Sequence, residues 1–202
     1  SMHRIVKAIQ SSTVPIAVYV APSGSRAGSA GVFITYAAHI AAMAPSTNIG
    51  SAHPVFGGGM PGSKVDSSTT GTLMEKVVND AVAKIKSVAK KRGRNAAWAE
   101  KAIRESANIT ETEALKLHVI DYVVPTLDSL LTVLDGKTIA LDVGFSKTLR
   151  TKNATVQTYE MNWRERFLDS ITNPNIAYIL MMLGIYGLLF ELYSPGAILP
   201  GV

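Results

Sequence analysis

The chain contains no cysteine among its 202 residues, which excludes disulfides, thiolate metal sites and a cysteine nucleophile. Its four histidines, His3, His39, His53 and His118, are scattered with no His-x-x-x-His spacing, so neither a metal centre nor a cofactor is expected. Charged residues are scarce at 17%, against 47% hydrophobic ones, which places the chain at the apolar end of soluble proteins. The net charge of +5 is modest. Much of it lies between Lys84 and Arg104, where few aromatics are interleaved. That pattern reads as a solvated or membrane-proximal helix face, and nucleic-acid binding is not expected. No signal peptide is visible. Ser1 reads as a residue left by tag removal, ahead of a helix already under way at Met2–Gln10, so a natural N-terminal part is expected to be missing.

What the chain does have is one organising stretch. Val14–Val20 is β-branched and bounded by prolines, which predicts a buried strand. The ten residues after it are small or polar, and from Ala30 to Ala44 the residues are small and apolar, as a deeply buried helix requires. Ser29 therefore falls at a strand–loop–helix junction, where free backbone N–H groups and the helix dipole favour developing negative charge. Gly28 and Gly31 flank it and permit close backbone approach. Two readings stand at this level. Ser29 is a nucleophile, or it is an ordinary serine N-cap. The G-x-S-x-G elbow is not met, since Ala27 occupies its first glycine, and Ser23 and Ser25 compete.

Further along, the glycine- and serine-rich residues 57–72 predict a loop able to cover a cleft. Leu73, Val77, Val78, Ala81, Ile85 and Val88 carry a helical period that ends near Gly93, and Asn95 can cap the next helix. Thr110 and Glu113 fit a capping box, followed by a strand over Val119–Val124. Strands separated by helices predict α/β layers with a partly parallel sheet. Residues 127–172 change texture, with short strands expected at Lys137–Leu141, Thr148–Thr151 and Thr155–Met161 and an amphipathic helix at Trp163–Ile171. Ile176–Phe190 is uncharged over fifteen residues, about 22 Å of helix, which is shorter than a bilayer core of about 30 Å. Its length suits a buried helix, while its tyrosines and flanks suit a membrane segment.

Ala27-Gly28-Ser29-Ala30-Gly31, Ala44–Pro54, Gly93-Arg94-Asn95 and Thr110–Asp121 occur here in one order. Together with the tail from Asn173 to Val202, they resemble the NfeD-type membrane-bound serine proteases, or stomatin operon partners, of the Clp protease/crotonase superfamily. The resemblance implies a Clp/crotonase-like α/β layered fold with a partly parallel sheet, a small β appendage and a C-terminal hydrophobic helix. It implies a protease domain over residues 1–126, the appendage and amphipathic helix over 127–172, and a membrane-entering helix over 173–202. It implies Ser29 as nucleophile and Lys76 as base, a Ser-Lys variant of the triad logic. A lysine acts as base only when neutral, which Leu73, Val77 and Val78 would promote by desolvation.

His53 is the rival base, close to where Clp peptidases carry theirs. The position matching their acid is Ser106, which leaves His53 without an orienting carboxylate. The family's oxyanion loop lies upstream of the serine, before this chain begins, and Gly57-Gly58-Gly59 cannot replace it, so weak activity is expected of this stretch alone. The expected substrate is an apolar segment of a stomatin- or prohibitin-like membrane protein, cleaved by a homo-oligomer at a membrane, with the protease domain extracytoplasmic. A non-catalytic crotonase-like scaffold is the alternative reading, and an acyl-CoA hydratase-type enzyme is a third.

Overall fold

The computed structural model describes residues 2–54, 67–141 and 144–193. Helix α1, Met2–Gln10, precedes strand β1, Ala17–Val20, and strand β2, Arg26–Gly28. Ser29 then leads into helix α2, Ala30–Ala37, followed by strands β3, Ile40–Met43, and β4, Asn48–Gly50. The long helix α3, Ser67–Lys91, is followed by α4, Ala96–Arg104. Short elements complete the first unit: β5, Asn108–Thr110; α5, Glu111–Lys116; β6, Tyr122–Val123; α6, Leu127–Leu134; β7, Thr138–Ala140; and β8, Ser146–Thr148. Helices α7, Trp163–Thr172, and α8, Pro174–Tyr193, are the last described elements. The described residues up to Ala154 form one compact unit and those from Thr155 another.

The first unit is an α/β fold with partly parallel sheets, as expected. One sheet has the order β1-β3-β6 and is parallel throughout. A second has the order β2-β4-β5, parallel in its first pair and antiparallel in its second. Strand β3 is paired on both sides, so its four residues are buried. Because side chains alternate along a strand, Ala41 and Met43 join the main core while Ile40 and Ala42 join a second one with Val124, Leu130 and Leu134. This corrects the long buried helix expected over Ala30–Ala44. The helix stops at Ala37, and pairing to two neighbours turns the next apolar residues into a central strand.

The main core is closed by α3 and α4. Val78, Val82, Ile85 and Ala89 recur at helical spacing and are buried against the same core as Trp98, Ala102 and Ile103. Gly93, at φ +66°, ends α3 in the left-handed turn that glycine adopts most easily. Asn95 accepts from the Trp98 amide at 2.9 Å, and the Thr110–Glu113 capping box forms as predicted. Residues 67–72, expected as loop, form the opening turns of α3, while the rest of the predicted loop lies outside the described residues. The strand expected over Thr155–Met161 does not form. In the β7–β8 hairpin, β7 falls within the strand expected over Lys137–Leu141. Strand β8 lies earlier than the strand expected over Thr148–Thr151 and shares only Thr148 with it, because pairing sets Thr138 opposite Thr148 and Ala140 opposite Ser146.

In the second unit, Asn162 and Glu165 form a capping box at the start of α7. No residue of α7 is buried. The apolar side chains described along α8, among them Ile179, Leu183 and Leu189, are exposed. Among the described residues no single helix is long and apolar enough to cross a membrane. Trp163–Thr172 and Asn175–Phe190, bent by 72°, meet that length and composition test only as a pair.

Candidate active site

Ser29 stands between β2 and α2 with φ 50° and ψ −114°. A positive φ is uncommon for a residue with a side chain, and a strained strand-to-helix turn is the geometry that lifts a nucleophilic serine out of a sheet. The Ser29 side chain makes no capping bond to α2, so the plain N-cap reading is not realised. Its amide donates to the Ser51 carbonyl at 3.3 Å. Ala30, the residue after it, opens α2, and the Val32 amide donates back to the Ser29 carbonyl at 3.2 Å, while the N–H groups of Ala30 and Gly31 have no partner within the helix and point toward the serine end.

The strain is shared across the second sheet. Ser51 and Ser106 also lie at positive φ, 51° and 54°. The Ser51 amide donates to the Ala107 carbonyl at 2.9 Å. Gly50 pairs with Gly28 on one side and Asn108 on the other. At φ +147°, a Cβ on Gly50 would lie 2.2 Å from the Ala107 carbonyl oxygen. Sequence reasoning passed over Gly50, although it stands directly before Ser51 within the Ala44–Pro54 motif. Gly28 and Gly31 are less crowded. A Cβ would meet the flexible Arg26 side chain at 3.1 Å in the first and Ala27 at an ordinary 3.5 Å in the second.

Ser29 opens onto a cleft of about 310 Å³ between α1, α2 and α3. Ala30, Phe33, Ala52, Val77 and Ala81 give it apolar walls, and Asp80 and Lys84 are its charged residues on α3. Lys76 is exposed and does not line the cleft, but it lies one turn before Asp80 on the same helix edge. Of the neighbours expected to desolvate it, Val78 is buried whereas Leu73 and Val77 are exposed. His53 is half-buried, and its Nδ1 donates to the Ile103 carbonyl on α4 at 2.8 Å. It is not among the residues lining the Ser29 cleft. Ser25 lines a separate cavity on the other side of α2, and Ser23 lies in the exposed turn before it.

The far end of α2 is held as firmly as its start. Arg94, buried, donates to the Tyr36 carbonyl at 3.2 Å and the Ala38 carbonyl at 2.9 Å. It also pairs with Asp121 at 2.6 Å. Burial pulls the pKa of the Arg94 guanidinium down and Asp121 works against that shift. Burial raises the pKa of the Tyr36 phenol, whose hydroxyl donates to the Asn95 carbonyl at 2.9 Å. Gly93-Arg94-Asn95 thus ties the end of α3 to the end of α2. Among the described residues no cluster of acidic residues and histidines could hold a metal.

No family model matches the chain. The membrane-bound protease PH1510 of Pyrococcus horikoshii is 36% identical over 197 residues, covering 97% of this chain and 43% of that protein. The chain therefore spans about two fifths of that relative's length. Two solved structures of a protein named 1510-N membrane-bound stomatin-specific protease are similar to it as well. One is a lysine-to-alanine mutant in complex with a substrate peptide, with TM-score 0.72, 34% identity, and coverage of 85% of this chain and 76% of that one. The other is a serine-to-alanine mutant, with TM-score 0.69, 35% identity, and coverage of 80% and 75%. With the serine junction, the layered sheets and this shared length, the chain belongs to the NfeD-type membrane-bound serine protease family.

Proposed function

We propose that this chain is the peptidase part of a membrane-associated serine endopeptidase with Ser29 as nucleophile and Lys76 as general base. The observation that carries the reading is the Ser29 backbone, strained at φ 50° and ψ −114°, at the mouth of an apolar cleft. The solved relatives support the residue types, since they were prepared as serine-to-alanine and lysine-to-alanine mutants.

In the reaction, the Lys76 amine takes the hydroxyl proton as Ser29 Oγ bonds to the scissile carbonyl carbon. The oxyanion that forms faces the α2 N-terminus, where the Ala30 amide is placed to donate. The lysine then returns the proton to the departing amine, the C–N bond breaks, and water hydrolyses the acyl-serine. Lys76 stands exposed on the helix edge one turn before Asp80, so in this reading its side chain swings toward Ser29 as substrate seats in the cleft.

The apolar walls suit apolar segments, and the solved relative is named a stomatin-specific protease. A stomatin- or prohibitin-like membrane protein is the matching substrate here. The exposed α8, entered through the amphipathic α7, supplies membrane attachment and self-association, and the extracytoplasmic side for the peptidase unit is what the family resemblance implies.

The test is made on the full-length protein with an apolar peptide. A fluorophosphonate should label Ser29, and Ser29→Ala and Lys76→Ala should each lose activity while keeping the fold. Turnover retained by Lys76→Ala but lost in His53→Ala moves the base to the histidine. Failure of Ser29 to label favours the non-catalytic scaffold.

A further inference from the structure

The charged residues on the wall of the Ser29 cleft are unequal. Lys84 is half-buried and its Nζ is hydrogen-bonded to His3 Nδ1 on α1. Asp80, one turn earlier on the same face of α3, has no ion pair among the described residues. It is an exposed carboxylate without an ion pair among the described residues, at the edge of a cleft that also holds Ser29 and whose only other charged side chain, Lys84, is bonded to His3.

A segment seated in this cleft displaces water from Asp80. An apolar neighbour leaves the carboxylate less solvated and unpaired, which is unfavourable. A guanidinium or ammonium there offsets that loss, and a second carboxylate adds repulsion. We propose that Asp80 is a specificity residue selecting peptides in which a basic side chain borders the apolar segment. This deepens the protease reading and rests on it for the substrate's place in the cleft. The substrate class becomes an apolar stretch next to lysine or arginine, the pattern found where a hydrophobic helix meets a charged membrane surface.

The test uses three synthetic peptides sharing one apolar core and bordered by arginine, glutamine or glutamate. Their kcat/KM is measured on the full-length protein, and their affinity on its Ser29→Ala form, which reports binding without turnover. The arginine peptide should exceed the glutamine peptide by about three- to fivefold, as expected of a partly exposed pair, with the glutamate peptide poorest. Asp80→Asn should abolish the ranking and Asp80→Lys should invert it. Equal affinities in the Ser29→Ala protein, or a ranking that survives Asp80→Asn, overturn the proposal. So does a result in which Asp80→Asn shifts only the pH profile, because Asp80 then acts on Lys76 and not on substrate. The expected ranking in binding without any cleavage or Ser29 labelling sinks the protease reading and leaves the acidic subsite standing.

Discussion

Ser29 and Ser51 end two parallel strands side by side, each at a positive φ near 50°, with the Ser29 amide bonded to the Ser51 carbonyl at 3.3 Å. Their preceding residues, Gly28 and Gly50, are partners in the β2–β4 register. The Ser29 turn is thus held by a second strained turn, and neither is a free-standing loop. Backbone strain persists only where the surroundings over-determine it.

Gly50 is where that support is most exposed to substitution. Gly50→Ala places a methyl 2.2 Å from the Ala107 carbonyl oxygen at a φ of +147°. We expect a loss of about 2–4 kcal/mol in stability, with activity falling further because Ser29 shifts. Gly31→Ala meets only Ala27 at 3.5 Å and should cost little stability. Denaturant midpoints of the two variants check the contrast, and equal midpoints contradict it.

Arg94 holds two carbonyls at the end of α2 and the Asp121 carboxylate. Arg94→Leu leaves the carbonyls without these donors and should destabilise by about 2–4 kcal/mol. Asp121→Asn keeps an oxygen for the Ala41 amide and for Arg94. It should cost clearly less, and thermal melts of both variants measure the order.

Asp135 gives a pH prediction. The Lys152 and Thr151 amides donate to it at 2.9 and 2.8 Å and hold its carboxyl below the usual carboxylate range. A depressed folded value stabilises above the unfolded pKa, and that contribution disappears as pH falls through the folded one. Stability should therefore drop below about pH 4, and Asp135→Asn should flatten that part of the profile. Melting curves across the acid range decide it, and an unchanged slope counts against the prediction.

The second unit supplies a fourth expectation. The buried hydrophobic residues described all lie at or before Leu141, so removing residues 155–202 should leave a folded first unit with unchanged cooperativity. Self-association and vesicle binding should fall, since the exposed apolar face of α8 is lost. Unfolding of the shortened protein would place part of its core beyond Ala154.

Much of this protein is local and was legible in its residues. Asn95, Thr110 and Glu113 satisfy backbone donors within a few positions, so their helices can be read from spacing alone. The strand–Ser29–helix junction is similarly short-range. Resemblance, not spacing, singled out Lys76, because an exposed helix lysine carries no signal of its own.

Tertiary pairing decided the rest. Ile40–Met43 is apolar on both faces, and composition cannot separate a buried helix from a strand until β1 and β6 lie on either side. The positive φ of Ser29 and the need for glycine at position 50 arise from β4 lying between β2 and β5, a contact reaching from Gly50 to Asn108. Asp80 and Ser29 are 51 residues apart in the sequence, and they share a cleft only because the α2–α3 packing brings them together. The sequence determined the helices, their caps and the chemical types available. The non-local pairing of strands and helices determined which serine is strained and which charges face it, because that geometry is set by residues far away along the chain.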